Sequence, residues 1–437
     1  MIGIILLIIS IVLYGNNKQW SIILFISFCT NGFNILTNEI IGIKNSDLAF
    51  IFTFVICIYS YFFENRKNVN NILDKSILFL FIFLILSAIY SYIHYSFTIY
   101  QIFQGGRHLF IFLCYYFLRK VPNSDIIKII SKIHYITLVT SILYIIQVLF
   151  DIPTLPYHLE IKIDEATGLG RYYNPPPFIV FYLYLSIFYP QIVKHSKFTQ
   201  IILIIATLCK LGRTSIALTF IGIIIGVIIK GKLKNIFKPI FIICLCLIPL
   251  GNYIKDRFYN DGDTQSDLIE ILKGDFKERA IYGNESGGTM SYRLAWIYER
   301  MLYLQDRPIG ENIFGLGMIS DSQTDIVYKK YNFILGLADE NESHVVQLTT
   351  PDIAYGNMLT QLGYIGSILL ITLWTHILII AFRAKNTHPY IFTLFIMLIY
   401  YILSSFSNNL ISTVSNLAFP FLIISLIKNK DKSLIYG

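Results

Sequence analysis

The chain has 437 residues, 55% of them hydrophobic and only 14% charged, where an average soluble domain carries about 25% charge. That deficit excludes an ordinary water-soluble enzyme, a disordered chain and a nucleic-acid binder, even though the formal net charge is +8. Apolar runs recur from residue 2 to residue 427, the signature of an all-α polytopic membrane protein.

A bilayer core about 30 Å thick needs roughly 20 helical residues. In chain order, the candidate spans are 2–14, 19–36, 48–63, 74–93, 104–118, 133–150, 176–193, 198–212, 213–230, 235–251, 354–382, 389–406 and 409–427. The first is short and fits half of a hairpin, so 12 or 13 transmembrane helices are expected. The run 2–14 leads directly into the next apolar run, with no small-residue cleavage site between them, so no cleavable signal peptide is expected. The chain divides into an N-terminal bundle of about ten spans (1–251), a hydrophilic loop (252–353) and three C-terminal spans with a short tail (354–437). Cys29, Cys57, Cys114, Cys209, Cys244 and Cys246 all lie inside apolar runs, so neither a disulfide framework nor a metal site is expected.

Lys and Arg in the short connections orient a bundle. Alternate connections hold nineteen of them, from Lys18 through Arg119 and Lys120 to Lys432, and the opposite set holds six: Lys44, Arg107, Lys162, Arg171, Lys210 and Arg213. The basic set is therefore cytoplasmic, and so is the C-terminus. The N-terminus lies outside if residues 2–14 span. The same parity places 252–353 outside, with 10 Lys/Arg and 17 Asp/Glu. Net charge thus separates into a basic inner face and an acidic outer loop, and the basic excess by itself implies no partner.

The middle of the loop reads as folded. Residues 291–305, SYRLAWIYERMLYLQ, place Leu294, Ile297, Met301 and Leu302 at helical spacing. Ser291 suits an N-cap, and Pro308 with Gly310 suits the stop. A glycine-rich turn follows at Gly310, Gly315 and Gly317. Both tight backbone and close approach of a ligand fit those glycines. The flanks 260–290 and 320–345 read as irregular and acidic.

The apolar cores contain no Asp or Glu, whereas ion-coupled transporters keep ionisable groups near the midplane. His134 and His376 are the main ionisable candidates within spans, and both suit hydrogen-bonded packing. The outer face is richer. Arg107 in QGGRHLF, Arg171 in GLGRYYNPPPF, Arg213 in KLGRTSIAL and Arg293 on the loop helix all sit there. Guanidinium groups bind phosphate bidentately and stay charged, so a diphosphate is the natural shared ligand. An interfacial anchor is the alternative for each arginine alone, least so for Arg213 between two apolar runs. Asp352 in TTPDIAYGNMLTQLGYIG stands where the loop re-enters the bilayer. A general base and a helix N-cap fit it equally. His344 is a further acid–base candidate. No phosphate loop, nucleophile elbow or metalloprotease pattern is present in the sequence.

These segments together resemble the bacterial O-antigen polymerase and O-antigen ligase superfamily. The likeness rests on LGRTSIALTFIGIII at a span junction, YRLAWIYERMLYLQDRPIGENIFGLG in the loop, PDIAYGNMLTQLGYIGSILL at re-entry and GLGRYYNPPPF before a mid-chain span. As motif it covers about 60 residues, and as architecture it covers most of the chain. It implies a metal-independent, cofactor-free glycosyltransferase in the bacterial inner membrane, with the large loop periplasmic. Donor and acceptor would be glycans on undecaprenyl diphosphate within membrane lipid, with a chain-length regulator as a further partner and no nucleic acid. Carried over, Arg213 and Arg293 match the family arginines, and Arg171 and Arg107 match more loosely. Arg107, Arg171, Arg213 and Arg293 would bind the substrate, with Arg213 and Asp352 catalytic. Ligases of the superfamily show a His-Asn pair where this chain has Asp352 and Ile353, which points to a polymerase. His344 is out of register with that histidine. A ligase and a non-enzymatic flippase or exporter are the alternatives.

Overall fold

A computed structural model describes residues 2–37, 39–40, 43–64, 72–156, 161–163, 170–231, 263–283, 289–319, 333–336, 345, 347–350 and 352–427. α1 (Ile2–Asn16) and α2 (Lys18–Cys29) form a hairpin against α3 (Asn45–Phe63), and α4 (Ile72–His94) follows. α5 (Ile99–Gly106) and α6 (Tyr115–Leu118) flank a 3-10 stretch, Arg107–Cys114. Next come α7 (Asn123–Phe150), α8 (Ile179–Phe188), α9 (Ser196–Leu208) and α10 (Arg213–Lys230). The hydrophilic segment contributes α11 (Asp263–Lys273), α12 (Phe276–Tyr282), α13 (Thr289–Gln305) and α14 (Ile309–Phe314). α15 (Ala354–Arg383), α16 (Pro389–Ser404) and α17 (Ala418–Ile424) close the fold. Among the described residues the strands are two short antiparallel hairpins, Glu39–Ile40 with Ile43–Lys44 and Ile161–Ile163 with Gly170–Tyr172.

The chain is an all-α membrane protein. α3, α4, α7 and α15 are long and apolar enough to cross a bilayer. Their surroundings agree. Ile4, Ile8 and Val12 on α1, and Phe79, Ile82, Leu86 and Ile89 on α4, form exposed apolar stripes. Water would penalise such faces, and lipid does not. α8 and α16 are buried on nearly every side and pack together at the centre, as helices that are apolar all round must. Buried hydroxyls turn back on their own helices: Thr53 donates to the Ala49 carbonyl at 2.8 Å, Ser91 to Ser87 at 2.7 Å and Thr207 to Leu203 at 2.7 Å. In an apolar setting this is the cheapest way to satisfy a hydroxyl.

Several expectations from the sequence are corrected. The run 104–118 is not one helix. Gly105 and Gly106 end α5, and the backbone tightens into the 3-10 stretch. The run 409–427 is a short 3-10 turn, Val414–Leu417, followed by the seven-residue α17. Within 176–193 only Ile179–Phe188 is helical. His134 lies well inside α7 rather than near its end. The loop flank 260–290 is not irregular, since α11 and α12 occupy it. The expected span 235–251 and the flank 320–332 lie outside the described residues. The bundle has two ends. At one, α2 and α4 finish while α3 and α15 begin, and the hydrophilic segment joins there. At the other, α2 and α4 begin and α3 finishes.

Candidate functional site

The hydrophilic segment is tied down by a buried ion pair. α13 starts at Thr289, two residues before Ser291. Its first amides are capped by another helix: Asp267 on α11 accepts from the amides of Met290 at 3.1 Å and Ser291 at 2.9 Å. Ser291 is therefore inside the helix and buried, not its cap. The buried face is also not the predicted apolar one. It carries Ala295, Trp296, Glu299, Arg300 and Leu304, while Met301 is exposed. Arg300 bonds Glu299 and lies 4.1 Å from the Trp296 ring centroid and 3.7 Å from that of Phe333. It also donates to the carbonyls of Leu335 at 3.1 Å and Gln347 at 3.3 Å. Glu299 accepts from the Ile334 amide at 2.5 Å. Two charges thus occupy positions that periodicity assigns to apolar residues, because their work is to hold returning chain. Burial pushes the Glu299 carboxyl above its usual range, against the pull of Arg300.

Close main-chain packing, together with Phe314 stacked on Phe83 and Tyr90 and Glu311 paired with His94 at 3.0 Å, seats the segment on the bundle. α13 ends at Gln305, just ahead of Pro308 as expected, and Pro308 then caps α14, inside which Gly310 lies. After α14, Gly315 at φ 75° faces Gly363 at φ 66°, where α15 breaks. A Cβ on Gly315 would meet the Gly363 nitrogen at 2.5 Å, and one on Gly363 would meet the Gly315 nitrogen at 2.4 Å. The Leu316 amide donates to the Thr360 carbonyl at 2.9 Å, and the Tyr95 hydroxyl donates to the Gly315 carbonyl at 2.9 Å. The Met318 amide donates to Ser91 Oγ at 3.0 Å. A Cβ on Gly105 would meet the Ile319 nitrogen at 2.7 Å. Residues 315–319 are therefore wedged between the broken end of α5 and the break in α15.

This wedge walls one side of a polar cavity of about 370 Å³. Ile319 and Thr349 come from the hydrophilic segment, and Lys44, Ser46 and Asp47 from the start of α3. Gln104, Gly105, Arg107 and His108 come from the α5 break, Asn357 and Gln361 from α15, and Asn409, Ser412 and Thr413 from the turn after α16. Asn357 organises the re-entry. Its amide oxygen accepts from the Thr350 nitrogen at 2.8 Å, and its amide nitrogen donates to the Thr350 carbonyl at 2.5 Å and to Asn409 Oδ1 at 3.1 Å. Ser412 Oγ is buried and unpartnered among the described residues.

A second cavity of about 320 Å³ adjoins the first, sharing Ser46 and Thr413. Its wall includes Asn31 and Asn34, from a turn in which four consecutive residues adopt left-handed backbone, with φ of 49°, 63°, 56° and 67° at Asn31, Gly32, Phe33 and Asn34. For non-glycine residues this costs about 1–2 kcal/mol each. Asn34 anchors the turn by donating to the carbonyls of Asn174 at 3.0 Å and Pro175 at 2.8 Å.

Arg107 is in the first cavity wall, held by Asp47 through Nε at 2.5 Å and Nη2 at 3.0 Å. Arg293 is half-buried on α13, and neither it nor Asp352 lines the cavity. Asp352 is exposed. Its amide donates to Thr350 Oγ1 at 3.3 Å, and the N-cap of α15 is Ile353, so Asp352 is not the cap. Its charge reaches Tyr292, whose phenol burial already raises. Arg171 pairs across its hairpin with Lys162, and Arg213 opens α10. The side chains of Arg171 and Arg213 and the whole of His344 lie outside the described residues. Sequence reasoning missed Asp47, His108, Asn357, Gln361 and Asn409. Asn357 and Gln361 were legible as two amides four apart inside an otherwise apolar span. The others carried no local signal.

Comparison with protein-family models and with curated proteins returns no match.

Proposed function

We propose that this protein polymerises oligosaccharide repeat units carried on undecaprenyl diphosphate, making O-antigen, capsule or exopolysaccharide. In this reading it is a metal-independent glycosyltransferase of the bacterial inner membrane, with 12 or 13 spans. The segment 252–353 and both cavities face the periplasm, and the C-terminus is cytoplasmic. The single observation that carries the reading is the polar cavity at the loop-bearing end. It gathers Lys44, Arg107 and His108 among amides and hydroxyls beneath the hydrophilic segment. A flippase would want a polar path through the bundle, whereas these cavities lie at one end of it.

The chemistry follows from the charges. An acceptor sugar hydroxyl attacks the anomeric carbon of the donor. The new C–O bond forms as the bond to the lipid diphosphate breaks, and the diphosphate leaves with the electron pair. Cationic groups in a partly desolvated site stabilise that leaving group, an effect worth about 10²–10³ in rate for one well-placed donor. The hydroxyl proton passes to a carboxylate or imidazole. Asp352, next to the N-cap of α15, is the carboxylate proposed here, and His108 is the imidazole in the cavity wall. Such a base contributes about 10²–10⁴-fold. Arg107, Arg171, Arg213 and Arg293 are the proposed phosphate ligands.

Deleting the gene and resolving surface polysaccharide on a gel tests the reading. Products stopped at one repeat support a polymerase. Intact chains stranded on the lipid carrier would make it a ligase, and an unchanged ladder would exclude both. Within a polymerase, Arg213→Ala removes long polymer at normal membrane level, and Arg213→Lys also fails because ammonium cannot supply the bidentate fork.

A further inference from the structure

The second cavity is chemically unlike the first, although the two share a wall. Among its described lining residues there is no charged side chain. Asn31, Asn34 and Asn416 supply amides, Thr30 and Ser415 supply hydroxyls, and Phe28 with Pro177 supplies apolar surface. Amides and hydroxyls both donate and accept, as sugar hydroxyls do, and flat apolar surface suits the C–H face of a pyranose ring. Both volumes sit at the low end of the range for ligand pockets, about 300–1,000 Å³. The wall is also built at a cost, since the left-handed turn Asn31–Asn34 is a conformation that persists only where its surroundings hold it. Asn34 spends its amide hydrogens on two backbone carbonyls, and Asn416 donates to the Leu410 carbonyl at 2.8 Å. Both side chains are thereby fixed in direction.

We propose that this neutral cavity is a sugar subsite, holding uncharged residues of the glycan whose diphosphate end occupies the adjoining charged cavity. The proposal rests on the polymerase reading of the charged cavity and adds to it a place where the repeat unit itself is recognised. Chain extension then depends on the second cavity's size as well as on the chemistry in the first.

Two variants fill the cavity from different elements, Ser415→Trp after α16 and Pro177→Trp before α8. Ile368→Trp, on an exposed position of α15, controls for the added indole. Each is expressed in the deletion strain, with membrane level checked by immunoblot. A filling variant at normal level loses long-chain polymer about tenfold or more, as expected when a ligand forfeits one or two hydrogen bonds, and Ile368→Trp keeps the normal ladder. A normal ladder from a filled cavity overturns the proposal and leaves the polymerase reading standing. Saturation-transfer NMR on the purified full chain reads the site without polymerisation, using the delipidated repeat-unit oligosaccharide of the same strain. Transfer from the wild-type protein that disappears in the filling variants supports the subsite, even where the deletion ladder defeats the polymerase reading. Equal transfer from wild type and filling variants, or none from either, overturns it.

Discussion

The two ends of the bundle treat charge in opposite ways. At the end where α2 and α4 begin, four cations are closed off. Lys18 meets Glu64 at 2.5 Å, Arg119 meets Asp74 at 2.6 Å, and Lys120 donates to the Ser60 carbonyl at 2.6 Å. Lys132 lies 4.2 Å from the Trp20 ring centroid. At the loop-bearing end, Arg107 is paired with Asp47, yet the pair stands in the wall of a cavity beside Lys44, His108 and several amides. Those four cations turn to partners within the protein itself. The loop-bearing end holds polar groups around open space, which costs stability and is the arrangement expected where a ligand completes the bonding.

The largest effect that can sharpen this contrast comes from the buried clasp. Arg300→Ala strands Glu299 and should cost about 3–5 kcal/mol, lowering the unfolding temperature of the detergent-solubilised protein and opening 289–350 to proteases. Lys18→Ala, at the closed end, should cost less than about 1 kcal/mol. Comparable losses from the two would break the distinction. Gly363→Ala comes next, at about 2–5 kcal/mol, from left-handed strain of about 1–2 and overpacking of about 1–3. Limited proteolysis should show residues 315–319 released while the bundle stays intact. A matched pair of arginines then tests function directly. Arg107→Ala should lower polymer about 100-fold, whereas Arg119→Ala, which removes the partner of Asp74 at the closed end, should leave the ladder unchanged. Equal losses would reduce Arg107 to an anchor. The smallest effect is in pH. Glu299 has its folded pKa raised, so the folded state holds that proton more tightly than the unfolded one. Its contribution to stability is fully present below the ordinary glutamate range and is lost as pH rises through the folded value. A thermal-stability series between about pH 4 and pH 7 should show this slope in wild type and a flatter one in Glu299→Gln.

Much of the bundle was legible because a hydrocarbon solvent demands long apolar runs and a run is a local property. α3, α4, α7 and α15 agree with their predicted spans to within a turn or so, apart from the earlier start of α7. The misreadings share a cause. The break at Gly105–Gly106 and the left-handed turn at Asn31–Asn34 depend on backbone angles, and α8 and α17 end within apolar runs that continue past them. None of this alters hydropathy along the chain. The site was less legible still. Arg107 announced itself as a charge among apolar residues, but its partner Asp47 is sixty residues away. Asn357, Asn409 and Ser412 become a wall only once α15 and the turn after α16 are set side by side. In α13 the periodic rule failed because Arg300 and Glu299 fill the buried stripe with charge.

The contact between Gly315 and Gly363 carries one more consequence. The two glycines fix how deep the segment sits, while Phe314 against Phe83 and Tyr90, and Glu311 against His94, fix its angle. A graft that replaces the segment therefore has to carry Glu311 and Phe314 along with Gly315 and Gly317 to stay in register with the cavity below.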